Sequence, residues 1–354
     1  MAQDDYLTTM TNRLKLRALL ALAATQAVIG CSRFVWKEDP FTPDQAPTTE
    51  IVASGRDTTY VLRGSSYYLL AQQRNTLWNR EVMDDVAWRY RALFGEAPPT
   101  IAVRLDSVQT PRPADTTWRG LPLATVVVRR RPAAASAKPS DDGDRERPAA
   151  DDSVRIRLIL GPMLAATAAE AWLEARATAA AGGSDGQPGG PEQPSRSAGS
   201  LPAWMEGGAL RILASGGAPD RAAAELRANQ KGIVSLASLF AVTWQRKPNA
   251  MEIARSGLGR FDDDEAIRMI DGPSAARPRR DGIPGVSPLF ITQSVSVLAF
   301  LHERDASLVK RLADDLPRGA SVENVLASST TLPHDVSGLD AAWRKWLQRS
   351  ARRR

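Results

Sequence analysis

The chain has 354 residues, 43% hydrophobic and 24% charged, enough apolar material to fold around one large core or two modest ones. Its formal charge of +6 is inflated by basic termini (Arg13, Lys15 and Arg17 at one end, Arg349 and Arg352 to Arg354 at the other), and the internal Arg129-Arg130-Arg131 leads into acidic sequence, so nothing points to nucleic acid. With Cys31 as the only cysteine, a disulfide framework is excluded, and redox or metal chemistry explains this residue less well than modification does.

The N-terminal stretch carries the first signal. Read from Met10, a basic segment (Arg13, Lys15, Arg17) precedes an apolar run from Ala18 to Ile29 that closes as Val28-Ile29-Gly30-Cys31. At about a dozen apolar residues this is a secretory signal rather than a membrane span. The small residue before the cysteine resembles bacterial lipoprotein signals, which implies acylation at Cys31, removal of residues 1–30 and a start at either Met1 or Met10. Ser32 in the next position favours the outer membrane, facing the periplasm, by the sorting rule of those lipoproteins. Residues 31–50, rich in Pro, Thr and Asp, read as a tether, and residues 51–350 as the folded domain.

Within that domain the expected fold class is α+β, a small mixed sheet with helices followed by a mostly helical C-terminal half. Short strands are expected at 51–53, 58–63 and 67–70, and a helix over 76–94 with Val82, Val86, Tyr90 and Leu93 on its apolar stripe, stopped by Gly95 and two prolines. Further β-rich runs are Thr100 to Leu105, Leu123 to Arg129 and Val154 to Leu160. Two inserts, near 132–152 and 181–200, hold no large apolar side chains that offset the entropy of ordering and are expected as disordered loops. From Leu201 on, apolar residues recur at helical spacing, with N-caps expected at Asp305, Ser321 and Ser337, while 245–287 reads as an irregular loop that borders a cleft.

Two segments carry the candidate chemistry. The Ala-rich stretch around Ala169-Glu170-Ala171-Trp172-Leu173 has the frame of a zinc-peptidase H-E-x-x-H helix, in which two imidazoles a turn apart bind zinc and the intervening Glu is the general base. Here both histidine positions are apolar and only Glu170 remains. The second segment is Leu201-Pro-Ala-Trp204-Met-Glu206-Gly207-Gly208-Ala209. With Leu93 to Arg104 upstream, Gln293-Ser294 on a later helix and the closing Ala342-Trp343-Arg-Lys-Trp346-Leu347, it resembles the peptidase MA-like (gluzincin) family over roughly residues 56–348. The resemblance implies a zincin-like fold and places Glu206 at the position of the third zinc ligand.

The same motifs have plainer readings. Ala, Leu and Glu make a good helix without any chemistry, and Trp204 with Gly207 is a helix start packed on a core. The two histidines, His302 and His334, have no zinc spacing to each other or to Glu170, and read as capping or surface residues. No metal and no cofactor are therefore expected. The domain reads as a pseudo-metallopeptidase, with Glu170 and Glu206 as vestigial site residues, anchored in the membrane through lipid and binding a peptide or protein. Two alternatives stand beside it: a structural or assembly component of the cell envelope, and an active hydrolase with atypical ligands.

Overall fold

Segments rich in Thr, Val, Tyr and Leu, residue types that fit a pleated, half-buried surface, form one sheet. The computed structural model describes residues 48–54, 57–71, 77–106, 116–127, 150–182, 199–244, 247–255 and 289–349. Strands β1 (Thr48–Ser54), β2 (Asp57–Arg63) and β3 (Tyr67–Ala71) run as an antiparallel meander. Helix α1 (Leu77–Phe94) then returns the chain so that β4 (Ile101–Asp106) lies parallel to β3, and β6 (Leu121–Val127) adds parallel to β4. The two-residue β5 (Thr117–Trp118) pairs antiparallel with the start of β6, giving the order β1-β2-β3-β4-β6-β5. The β5–β6 turn needs left-handed backbone at both central positions, which Arg119 (φ 49°) and Gly120 (φ 77°) adopt. Because β1 pairs from Thr48, ordered structure starts inside the stretch read as a tether.

Tyr67, Leu69, Ile101 and Val103 are fully buried on one face of the sheet, and Val86, Tyr90 and Leu93 are buried on α1 together with Met83. Val82, expected on the same stripe, is only partly buried. Helix α2 (Ala150–Gly182) packs on both α1 and β6. It corrects one expectation: Val154 to Leu160 is helix, not strand. The alternating Val-Arg-Ile-Arg-Leu run imitates a strand locally, but it continues into an Ala, Leu and Glu tract. Helix propagation along that tract decides the short apolar run even across Pro162. The same helix takes residues 150–152 and 181–182 from the two inserts; 132–149 and 183–198 lie outside the described residues, as does Cys31 with the whole signal reading.

The second half is helical: α3 (Ala203–Ala214), α4 (Ala218–Ala228), α5 (Leu236–Phe240), α6 (Ala250–Arg255), α7 (Phe290–Arg304), α8 (Ala306–Asp315), α9 (Val322–Leu326) and α10 (Val336–Arg349). The fold is α+β, a small mixed sheet followed by this helical part. Helix α7 is buried continuously from Phe290 to Leu301 and packs on α3, α4, α8 and α10. The side chains of Asp305 and Ser321 cap α8 and α9 by accepting from Leu308 N and Asn324 N. At α10 the expected Ser337 cap gives way to Asp335, whose Oδ1 accepts from Gly338 N at 2.7 Å, because the helix begins one residue before Ser337, at Val336. No helix among the described residues is long and apolar enough to cross a membrane.

Candidate functional site

Glu206 lies in the first turn of α3, where the unpaired N–H groups of the helix start favour a negative charge. Its carboxylate is nearly buried, 8% exposed as a residue, and both oxygens are taken. Lys247 Nζ donates to Oε1 at 2.9 Å and the indole Nε1 of Trp244 donates to Oε2 at 2.9 Å. The two glycines that follow Glu206 serve packing. A Cβ at Gly208 would meet the backbone C and O of Ser294 at 2.9 Å, so this glycine is what lets α3 and α7 cross closely. At Gly207 a Cβ would meet Ile291 Cδ1 at 2.6 Å and the Trp244 ring at 3.5 Å.

Glu170 lies on α2, which packs against α3, and the structure brings it within electrostatic reach of Glu206. The Ala250 backbone N–H, Lys247 and Glu174 also lie near enough to act on its charge. Burial, with Glu206 and Glu174 beside it, holds the Glu170 carboxyl above its ordinary value; Lys247 and the Ala250 N–H oppose this in part. Three carboxylates therefore surround one ammonium. Burial opposes the charge on Lys247, yet Glu206, Glu174 and Glu170 outweigh it and hold the lysine above its ordinary value.

The segment that delivers Lys247 is built by local sequence. Pro248 is buried and restricts Lys247 to extended backbone. Asn249 and Glu252 then form a reciprocal capping box that starts α6: Glu252 N donates to Asn249 Oδ1 and Asn249 N to Glu252 Oε2, each at 2.9 Å. Helix α6 packs on both α2 and α3, burying Ala250 and Ile253, and so covers the seam between the two glutamates. The Trp244 ring meets Phe290 edge-on, with centroids 5.5 Å apart. Lys247 falls in the 245–287 stretch expected as a loop, where the Asn249-x-x-Glu252 spacing is the available signal; Trp244, at the end of a helix expected over 235–244, lies beyond α5, which stops at Phe240.

The donor set does not suit zinc. Ala169 and Leu173, where the H-E-x-x-H frame around Glu170 would need histidines, are both buried apolar residues, and each Glu206 oxygen already accepts a hydrogen bond. Among the described residues no group of three or more His, Cys, Asp and Glu is placed to hold a metal ion. The two histidines lie elsewhere. His302, expected to cap a helix or lie on the surface, is partly buried and donates from Nε2 to the Ala92 carbonyl at 2.8 Å, with burial holding its pKa below the ordinary value. Exposed His334 donates to Ser329 O at 3.0 Å.

The remaining motif residues tie helices together. Gln293 clasps the backbone of Val234, donating to its O at 2.7 Å and accepting from its N at 3.2 Å. Ser294 lies at the α3–α7 crossing, Trp343 Nε1 donates to Ser296 Oγ at 3.1 Å, and Trp346 Nε1 donates to Glu303 at 2.8 Å.

The other feature near α2 is the outer edge of β6. Strand β5 pairs only with Leu121 and Pro122, and Leu123 N donates to Thr116 O at 2.9 Å. Alternate residues of a strand turn their backbone groups to the same edge. Thr125 and Val127 therefore face outward as Leu123 does, and no strand pairs with them among the described residues. No protein-family model, curated protein or solved structure matches the chain.

Proposed function

We propose that this chain is a non-catalytic, zinc-peptidase-like domain that holds an extended peptide or protein segment, presented at the cell envelope by a lipid on Cys31. The observation that carries the binding reading is the outer edge of β6, where Thr125 and Val127 present backbone donors and acceptors beside α2. A sheet edge of this kind takes a further strand by β-augmentation, main-chain hydrogen bonds supplying affinity and side-chain pockets selectivity. Two features of the site favour binding over hydrolysis: apolar Ala169 and Leu173 where the frame would need histidines, and a Glu206 carboxylate whose two oxygens accept from Lys247 and Trp244. A peptidase needs an open ligand position for water, and these contacts already engage each Glu206 oxygen that would help form one.

The test is a displayed random-peptide library selected on the immobilised protein, with titration of the winners against the parent and Thr125→Pro. Proline removes the outward N–H without adding charge. Selected peptides should lose at least about tenfold in affinity for the variant. Equal affinity for both, or cleavage of the peptides by the parent, would remove the edge-strand reading. The anchor is tested separately, by mass spectrometry of the mature N-terminus and by release of Cys31→Ala from membranes.

A further inference from the structure

We infer that Trp244 together with Lys247–Ala250 forms a built-in clamp on the vestigial site, Lys247 supplying in cis the positive charge that a metal would supply in a zinc peptidase. The clamp consists of two directed contacts, Lys247 Nζ on Glu206 Oε1 and Trp244 Nε1 on Glu206 Oε2, together with the packing of α6 on both α2 and α3. The contacts land on α3 while α6 packs on both helices, so the clamp staples α2 to α3 across their seam. Each contact gives a donor to one oxygen of the nearly buried Glu206 carboxylate.

Local sequence prepares the clamp before it closes. Pro248 limits the backbone at Lys247, and the Asn249–Glu252 capping box fixes where α6 begins, so the ammonium and the Ala250 N–H arrive in set relative positions. The Trp244 ring is wedged between Phe290 and Gly207, which holds its N–H on Glu206. The charged groups that face Lys247 are Glu170 and Glu174 from α2 and Glu206 from α3. Among the described residues one cation meets three anions, so the clamp's positive charge comes from Lys247. An ammonium also suits the arrangement better than a metal, since it needs no fixed coordination geometry and its half-exposed stem lets water complete its hydrogen bonds. The clamp rests on this geometry and stands whether or not the β6 edge binds peptide.

The experiment is a double-mutant cycle on Lys247→Met and Glu206→Gln, with hydrogen exchange read at α6 and α7. Lys247→Met should lower Tm by about 3–6 °C and speed exchange of the α6 amides at least about tenfold, leaving the α7 amides protected as in the parent. Lys247→Arg should keep both properties. In the double variant the Tm loss should fall clearly short of the sum of the single losses, the signature of a direct pair. Trp244→Phe, which keeps the ring and removes only the N–H, should loosen α6 to a smaller extent. Additive losses in the cycle, or unchanged exchange at α6 in Lys247→Met, would overturn the clamp. So would stoichiometric zinc in the parent protein that Glu206→Gln abolishes, because the carboxylates would then be ligating a metal.

Discussion

Helix α2 carries two charge clusters less than two turns apart, and they are built on opposite plans. At Arg176 the guanidinium is 5% exposed; it donates to Tyr90 Oη at 3.2 Å, to Glu96, and to Asp314 Oδ1 at 2.6 Å, and lies 4.7 Å from the centre of the Phe94 ring. Lys310 joins both carboxylates, at 2.8 Å from Glu96 and 2.9 Å from Asp314, so two cations face two anions. At Lys247 one half-exposed cation faces three anions. The balanced cluster ties α1, α2 and α8 together and has every reason to be structural. Among the described residues, the unbalanced one keeps a surplus of negative charge. Charge balance therefore distinguishes the two ion networks on the same helix.

Four substitutions sharpen that contrast. The largest effect is expected at the balanced cluster: Arg176→Met should cost about 3–5 kcal/mol in denaturant titration, because two carboxylates lose the buried partner that half-exposed Lys310 cannot replace. Next comes Gly208→Ala, about 1–3 kcal/mol, because its Cβ would press on the Ser294 backbone and push α3 off α7. A cost below about 0.5 kcal/mol would mean that the crossing is looser than the 2.9 Å contact implies. Glu206→Gln follows at about 1–2 kcal/mol, since the side-chain amide can accept from only one of Trp244 and Lys247.

The smallest effect has the opposite sign. Because burial and neighbouring carboxylates raise Glu170 above the ordinary 4.5, the folded protein binds its proton more readily than the unfolded chain. Its ionised form thus costs stability, a cost absent below pH 4.5 and fully present once pH rises past the raised folded-state value. Glu170→Gln should therefore raise stability by about 0.5–1 kcal/mol at pH 7.5, discounted for partial exposure, with the gain fading in acid. Added salt near about 1 M should shrink that gain proportionally more than the Arg176→Met loss, because Arg176 itself is buried while Lys247 is half-exposed. A Glu170→Gln variant less stable than the parent at pH 7.5 would show that Lys247 and the Ala250 N–H outweigh the repulsion.

Much of the fold was legible where periodicity and punctuation agree. Strands β2 to β4, helix α1 with its Gly95 stop, and α7, α8 and α10 follow from local pattern, and so do the caps at Asp305 and Ser321. The failures share one cause: local pattern was ambiguous and a neighbour decided. Val154 to Leu160 alternates like a strand but is drawn into the helix that follows it, and Ser337 is displaced as a cap by Asp335. In the site, Glu170 and Glu206 could be singled out through their motif frames. Lys247 could not, since an ammonium in an irregular stretch carries no periodic signal, and Trp244, at the end of a helix expected over 235–244, reads there as an apolar residue rather than a donor.

By itself, the sequence determined the α+β composition of this protein and the apolar identity of Ala169 and Leu173 in the frame around Glu170, because side-chain size, hydrogen-bonding capacity and spacing are properties of the chain alone. Only the tertiary structure decided what pairs with the Glu206 carboxylate. The partners of Glu206 come from a segment some forty residues on, and no local rule relates them: α6 must first be docked across α2 and α3, with Trp244 wedged against Phe290, before the ammonium of Lys247 and the carboxylates of Glu170, Glu174 and Glu206 share one seam.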